Sequence, residues 1–167
     1  MYNQLTENDI QKMEEEIEYR KVVVRKELLE DVKEARAHGD LSENFEYHAA
    51  KKEKNKNESR IRYLQRMIKT AQVIKDETAD DEAGLNKKVK LYFEDDEEYE
   101  EFTLVTTVRG SSINGLISTE SPIGKAVLGH KKGDRVYVKV NENAGYYVVI
   151  ESIEKVDNSD DIEIRKF

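Results

Sequence analysis

Through the first 77 residues apolar side chains recur in two stripes of helical period, and no proline interrupts either one. In the first stripe Ile10, Met13, Ile17, Val24, Leu28, Val32 and Ala35 fall at three-, four- and seven-residue steps, interrupted by Arg20. In the second, Tyr47, Ala50, Lys54, Asn57, Ile61, Leu64, Ile68 and Ala71 alternate three and four residues apart. Such spacing lines side chains along one helix face, the pattern of a coiled-coil seam. Thr6 is placed to cap the first helix, with Glu7 and Asp9 in a first turn whose dipole favours acids. Gly39 is placed to end that helix in a left-handed conformation. The connection between the stripes is short, so the two helices must run antiparallel. Each arm of about thirty residues would extend roughly 45 Å. Lys54 and Asn57 put polar groups on the seam near the turn, where they cost stability and can fix register.

Beyond residue 84 the period changes from helical to alternating. Residues 89–93, 102–108, 136–140 and 146–150 read as strands. Asn114-Gly115 and Lys132-Gly133-Asp134 are turn signals. Ser121-Pro122, then Ile123, Ala126, Val127 and Leu128 before Gly129, predicts a short capped helix with proline in its first turn. The polar, acidic residues 76–84 read as a linker, and the acidic run 94–101 as a solvated strand connection. Ile162-Glu163-Ile164 reads as a further strand. No repeat is evident. The fold class is α+β: an antiparallel helical hairpin over residues 1–77, with its tip at about 38–44, followed by a β domain with one short helix over 78–167.

Charged residues make up 38% of the chain, which suits an elongated, well-solvated part. No apolar run reaches the ~18 residues of a membrane span, and no signal-peptide pattern opens the chain. Cysteine is absent, which excludes disulfides, thiolate zinc sites and thiol catalysis. The chain therefore reads as a soluble cytoplasmic protein. Its net charge of −8 is uneven: residues 1–77 hold 16 Lys and Arg against 17 Asp and Glu, the remainder 12 against 19. That acidity disfavours duplex nucleic acid as the main partner. One local basic stretch remains, with Lys51, Lys52, Lys54, Lys56, Arg60, Arg62 and Arg66 opposed by Glu53 and Glu58.

The tip carries Asp40 and Glu43. An Asp followed three residues later by Glu has the spacing of a capping box, placed where the second helix should begin. Free carboxylate oxygens on an exposed tip also suit a hard cation such as Mg²⁺. Two carboxylates alone make an incomplete site, so other ligands would have to come from elsewhere. The basic stretch has two readings as well, a solvated helix face or a contact to a phosphate backbone. Phe45 is open between packing and stacking on a base, while Tyr47 fits the seam. His38, His48 and His130 lack a matching ligand set and read as surface residues. Gly124-Lys125 lacks the glycine and Ser/Thr of a phosphate-binding loop, and no serine elbow, zinc helix or dinucleotide fingerprint occurs. No complete active site is legible.

Two blocks resemble the Gre family of bacterial transcript-cleavage factors, of the GreA/GreB type. The first runs Glu34-Ala35-Arg36, then Gly39-Asp40-Leu41-Ser42-Glu43-Asn44, then Glu46-Tyr47-His48-Ala49-Ala50-Lys51. The second is Ile117-Ser118, Ser121-Pro122-Ile123-Gly124-Lys125-Ala126-Val127-Leu128-Gly129 and Gly133-Asp134. They stand in separate halves in the family's order. The resemblance implies a coiled coil followed by an FKBP-like domain; isomerase activity does not follow from that name. It implies a partner, RNA polymerase, with the globular domain docked at the rim of the secondary channel and the coiled coil reaching the active site.

On this resemblance the protein is no enzyme by itself. It stimulates polymerase's own cleavage of backtracked nascent RNA. Asp40 and Glu43 would help hold a second Mg²⁺ shared with the polymerase, and no cofactor is expected on the free protein, which is expected to be a monomer. Lys51, Lys52, Lys56, Arg60 and Phe45 are candidates for contacts to the RNA 3′ end. Ser121, Pro122, Ile123, Gly124 and Lys125 are candidates for docking to polymerase. The sequence departs from the family pattern at Phe45, where a small alanine is usual, in residues 105–112 and in residues 141–145. The competing readings are a divergent secondary-channel regulator without cleavage stimulation, and a coiled-coil scaffold or chaperone. The absence of cysteine disfavours the zinc-finger regulators of the DksA group.

Overall fold

The computed structural model describes residues 3–39, 44–156 and 163–166. The chain forms two compact units, one drawn chiefly from Asn8–Ala71 and the other from Gln4–Glu7 with Gln72–Lys166. No described helix is long and apolar enough to cross a membrane.

The first unit is a helical hairpin. Its first arm comprises α1 (Glu7–Tyr19), a π-helical segment over Arg20–Val24 and α2 (Arg25–Arg36). The backbone stays in the right-handed helical region through both junctions, so the arm is one helix with a local change of winding. The returning arm is α3 (Phe45–Lys69). The expected seam is the one that packs: Met13, Ala35, Ile61 and Leu64 are buried, and Ile17, Leu28, Val32, Tyr47, Ala50 and Ile68 half-buried. Burying such side chains supplies about 1.5–3 kcal/mol each for the larger ones, which the polar outer faces of these helices do not provide.

Where Arg20 interrupts the stripe, the seam turns polar. Glu16 accepts from Arg20 Nε at 2.7 Å and from Arg60 Nε and Nη2 at 2.8 and 3.1 Å. Arg20 Nη1 donates to Asn57 Oδ1 at 3.0 Å, and one turn on Arg25 makes a bidentate pair with Glu58 at 2.7 and 2.9 Å. Burial alone would raise the Glu16 carboxyl, but the hydrogen bonds from Arg60 and Arg20 outweigh it and hold the group below its ordinary value of 4.5. A folded-state pKa depressed in this way stabilises the hairpin above pH 4.5, and that contribution is lost as pH falls through the folded value. Acid titration of helicity should therefore show a loss below pH 4.5 that Glu16→Gln reduces, the variant being weaker than the parent at neutral pH; Glu58, held low by Arg25, accounts for part of what remains.

In the second unit β1 (Asn3–Leu5) pairs with β2 (Ala71–Val73), and Ile74 N donates to Leu5 O at 2.8 Å. The main sheet has β3 (Lys87–Phe93), β4 (Glu98–Val105), β5 (Leu116–Ser118), β6 (Arg135–Asn141) and β7 (Ala144–Lys155) in the order β5-β4-β3-β7-β6. Only β4 and β5 pair in parallel. Alternation buries Val89 and Leu91 on β3, Val136 and Val138 on β6, and Val148 and Ile150 on β7 against one core. Ile150 and Ile153 both reach that core although they are three residues apart. The register shift opposite Lys90 and Leu91 absorbs the extra residue, as a β-bulge does. The helix α4 (Pro122–Val127) closes the core through Ile123, Ala126 and Val127, as the Ser-Pro motif predicts.

Three expectations need correction. Residues 98–101 of the acidic run belong to β4, paired with residues 90–93, so the connection is only the turn at 94–97. The presumed linker is built into the domain: Ala83 exchanges backbone hydrogen bonds of 2.8 Å with Gly129 and His130, and Ala83 is fully buried. In the C-terminal tail, Ile162 lies outside the described residues, and residues 163–166 form no strand, although Arg165 N donates to Val108 O at 2.6 Å.

Lys87 explains why a polar stretch folds there. Its buried ammonium donates to Thr78 Oγ1, Ala79 O and Glu82 O at 3.1, 2.6 and 2.8 Å, using all three protons. Lys87→Met keeps the stem's volume but strips two main-chain carbonyls of their donor. We expect it to cost about 1–3 kcal/mol, read as a lower urea midpoint.

Candidate functional site

At the far end of the hairpin α2 stops at Arg36 and α3 starts at Phe45, so residues 37–44 connect them, close to the expected tip. Gly39 has φ +132°, a conformation L side chains rarely adopt. Asp40 and Glu43 lie outside the described residues; what the structure defines is the frame on either side of them.

Asn44 is the main element of that frame. Its Oδ1 accepts from Tyr47 N at 3.0 Å, which makes Asn44 the N-cap of α3. Its Nδ2 donates to Ala35 O at 2.7 Å, satisfying a carbonyl in the last turn of α2. One side chain thus caps both helices and closes the connection. This overturns the capping-box reading of Asp40 and Glu43: the helix they were placed to cap takes Asn44 instead, four residues beyond Asp40. The signal was present, since asparagine directly before a helical run is a strong cap. The Asp-x-x-Glu spacing masked it.

Around the frame, His38 Nδ1 lies 3.1 Å from Glu46 Oε2, and the Arg36 guanidinium sits over the Tyr47 ring at 5.6 Å. The hydrogen bond from Arg36 holds the Tyr47 phenol below its ordinary value. Asp31, Glu34, His38 and Glu46 border an open groove of about 350 Å³. Among the described residues no three His, Asp or Glu side chains are grouped so as to hold a metal ion.

The basic candidates separate into two kinds. Lys51, Lys52 and Lys56 are exposed, and Phe45 is 87% exposed at the start of α3. Phe45, Lys52 and Lys56 recur at seven- and four-residue steps, which places them on one stripe of the helix. Arg60 must be removed from this set: it is only 3% exposed and its guanidinium is bound to Glu16 inside the hairpin. Its partner lies 44 residues away in sequence, so the charge run gave no warning.

The second candidate set also divides. Ser121 caps α4, accepting from Gly124 N at 3.1 Å and donating to Ser118 O at 2.6 Å. Ile123 packs on the core, and Gly124 is buried against the backbone of Ser118 and Thr119. Pro122 and Lys125 alone are exposed. The motif is first of all a way of seating a short helix. His130 pairs with Asp134 at 3.3 Å and remains a surface residue.

Two family models cover nearly the whole chain. The one described as "Transcription elongation factor, N-terminal" matches residues 3–73, and "Transcription elongation factor, GreA/GreB, C-term" matches residues 77–155. The chain is 47% identical to transcription elongation factor GreA of Thermoanaerobacter pseudethanolicus over 137 residues, 81% of this chain and 87% of that protein. It is 41% identical to the GreA of Bacillus subtilis over 135 residues, 81% of this chain and 86% of the other. The solved structure of the transcription factor Gfh1 aligns over 92% of this chain and 97% of its own, with a TM-score of 0.45 and 23% identity. On the family models and these identities, the chain belongs to the GreA/GreB family of transcription elongation factors.

Proposed function

We propose that this elongation factor binds RNA polymerase through its secondary channel and stimulates the polymerase's own cleavage of backtracked RNA. Asp40 and Glu43 are the residues that carry this activity. The observation that best supports the reading is the Asn44 cap: it holds the N-cap position of α3 and also bonds a carbonyl of α2, so Asp40 is not the cap of that helix. Hard oxygen donors at the tip fit Mg²⁺, which takes one or two carboxylates and completes its shell from other sources. Two donors are too few to hold the ion on the free protein, which fits sharing with a polymerase. When bound, the ion would supply the second centre of a two-metal hydrolysis, stabilising charge on the attacking or leaving oxygen.

This chain's own part is delivery. The hairpin holds the tip at the end of two packed helices, and Asn44 fixes where the connection begins and ends. The exposed Phe45, Lys52 and Lys56 stripe is offered to the RNA, the ring by stacking and the ammonium groups by phosphate contact. Pro122 and Lys125 are the exposed remainder of the proposed polymerase-docking motif. The test is to add the protein to stalled, backtracked transcription complexes in Mg²⁺ and follow RNA length. Shortened RNA supports the reading. Binding to polymerase without shortening would replace it with the non-cleaving regulator.

A further inference from the structure

The first arm of the hairpin contains one residue more than its seam needs. From Met13, alternate four- and three-residue steps run through Ile17, Arg20 and Val24, and would continue to Glu27, Asp31 and Glu34. Those three acids are exposed; the residues turned toward α3 are Leu28, Val32 and Ala35, each one position later. The π-helical segment Arg20–Val24 absorbs the difference. A single inserted residue is about 100° of helix rotation. Without the wide turn, the seam of α2 would face away from α3 and carboxylates would face it.

A π turn is less favourable than an α turn and needs a reason to stay in one place. Here Arg25 N–H donates to Arg20 O, closing the wide turn. Asn57, on the opposite arm and 3% exposed, grips the same residue twice. Its Nδ2 donates to Arg20 O at 3.4 Å and its Oδ1 accepts from Arg20 Nη1 at 3.0 Å. Glu16 holds the other side of the Arg20 guanidinium at 2.7 Å. We propose that Asn57 is a positioning residue: its carboxamide pins the extra residue at Arg20–Val24 and thereby keeps α2, with the connection that bears Asp40 and Glu43, in phase with α3. The inference rests on the cleavage reading only for its consequence in activity, since the pinning itself belongs to the free protein.

Three variants test it: Asn57→Leu, deletion of the exposed Val22, and the two together. Deleting one residue turns the wide turn into ordinary α-helix while leaving both flanking segments in phase, so the pin is no longer needed. Asn57→Leu should speed amide exchange through residues 25–36 by about tenfold or more, as local opening becomes easier. Misplacement of the tip should slow cleavage about ten- to hundredfold with affinity for polymerase unchanged, a loss in kcat rather than KM. The deletion alone should behave as the parent, and adding it to Asn57→Leu should restore both exchange and cleavage. Parental exchange in Asn57→Leu would overturn the proposal. So would a double variant as defective as Asn57→Leu, which would mark a simple packing loss at a buried site. If the parent protein itself fails to stimulate cleavage, the functional reading falls, and the exchange pattern still decides whether Asn57 pins the turn.

Discussion

Asp40→Asn or Glu43→Gln is expected to lower stimulated RNA cleavage by at least about a hundredfold, with binding to polymerase unchanged. Each substitution keeps the side chain's size and removes its charge and one strong metal-binding oxygen. Loss of even an outer-sphere partner typically weakens a metal site by about 10–100-fold, and a direct ligand should matter no less. Helix capping is tested by Asp40→Ala, since Asn caps a helix about as well as Asp. An Asp40 that served as cap would cost the hairpin stability when changed to Ala, but Asn44 fills that position, with its own bonds to Tyr47 N and Ala35 O. Thermal unfolding of Asp40→Ala should therefore match the parent while cleavage collapses. Asn44→Ala should do the reverse in the first instance, losing about 1 kcal/mol or more of hairpin stability. A quench assay on backtracked complexes, with competition binding in parallel, measures both quantities.

The second large effect is on the β domain. Gly124→Ala should destabilise it by about 3 kcal/mol, a fall in melting temperature of roughly 10 °C or more for a unit of this size. A Cβ on Gly124 would collide with Ser118 O and lie 2.9 Å from Thr119 Cα and 3.0 Å from Ser118 C. All three are backbone atoms. Ser118 O cannot retreat cheaply, because it already accepts from Ser121 N at 3.0 Å and from Ser121 Oγ at 2.6 Å. The helix must lift instead, drawing Ile123 and Val127 out of the core they close. Lys125→Ala, one residue on and exposed, should stay within about 0.5 kcal/mol of the parent. Differential scanning calorimetry of the pair separates the structural part of the Ser-Pro-Ile-Gly-Lys motif from the part available to a partner.

The α3 seam was readable from Tyr47 to Ile68 because its three-four alternation is unbroken there; Ala71, the next residue in step, instead opens β2. The first arm was readable in its seam, including the shift to Leu28, Val32 and Ala35 beyond Arg20. The π turn that takes up the extra residue was not, since its hold comes from Asn57 across the hairpin. Strands β3, β6 and β7 announced themselves by alternation against a core. The first half of β4 did not: β5 pairs only with residues 103–105, so residues 98–102 form an edge with acids on both faces and no apolar period. Residues 76–84 looked like a linker because their order comes from distant groups, the ammonium of Lys87 and the backbone at 129–130. At the tip the position of the turn was legible from helix periodicity. The identity of the cap was not, because two overlapping signals, Asp-x-x-Glu and Asn44, compete over the same few residues. Arg60 was misplaced for a related reason. A run of like charges looks solvated until its one buried counter-ion is known.

The most direct measurement is the Mg²⁺ concentration at which backtracked complexes reach half-maximal cleavage, with and without this protein. If Asp40 and Glu43 help hold the second ion, the parent should lower that midpoint by about tenfold or more, and Asp40→Asn should leave it where polymerase alone has it. An identical midpoint with parent, variant and polymerase alone, whatever the maximal rate, would contradict a role for these carboxylates in binding the metal.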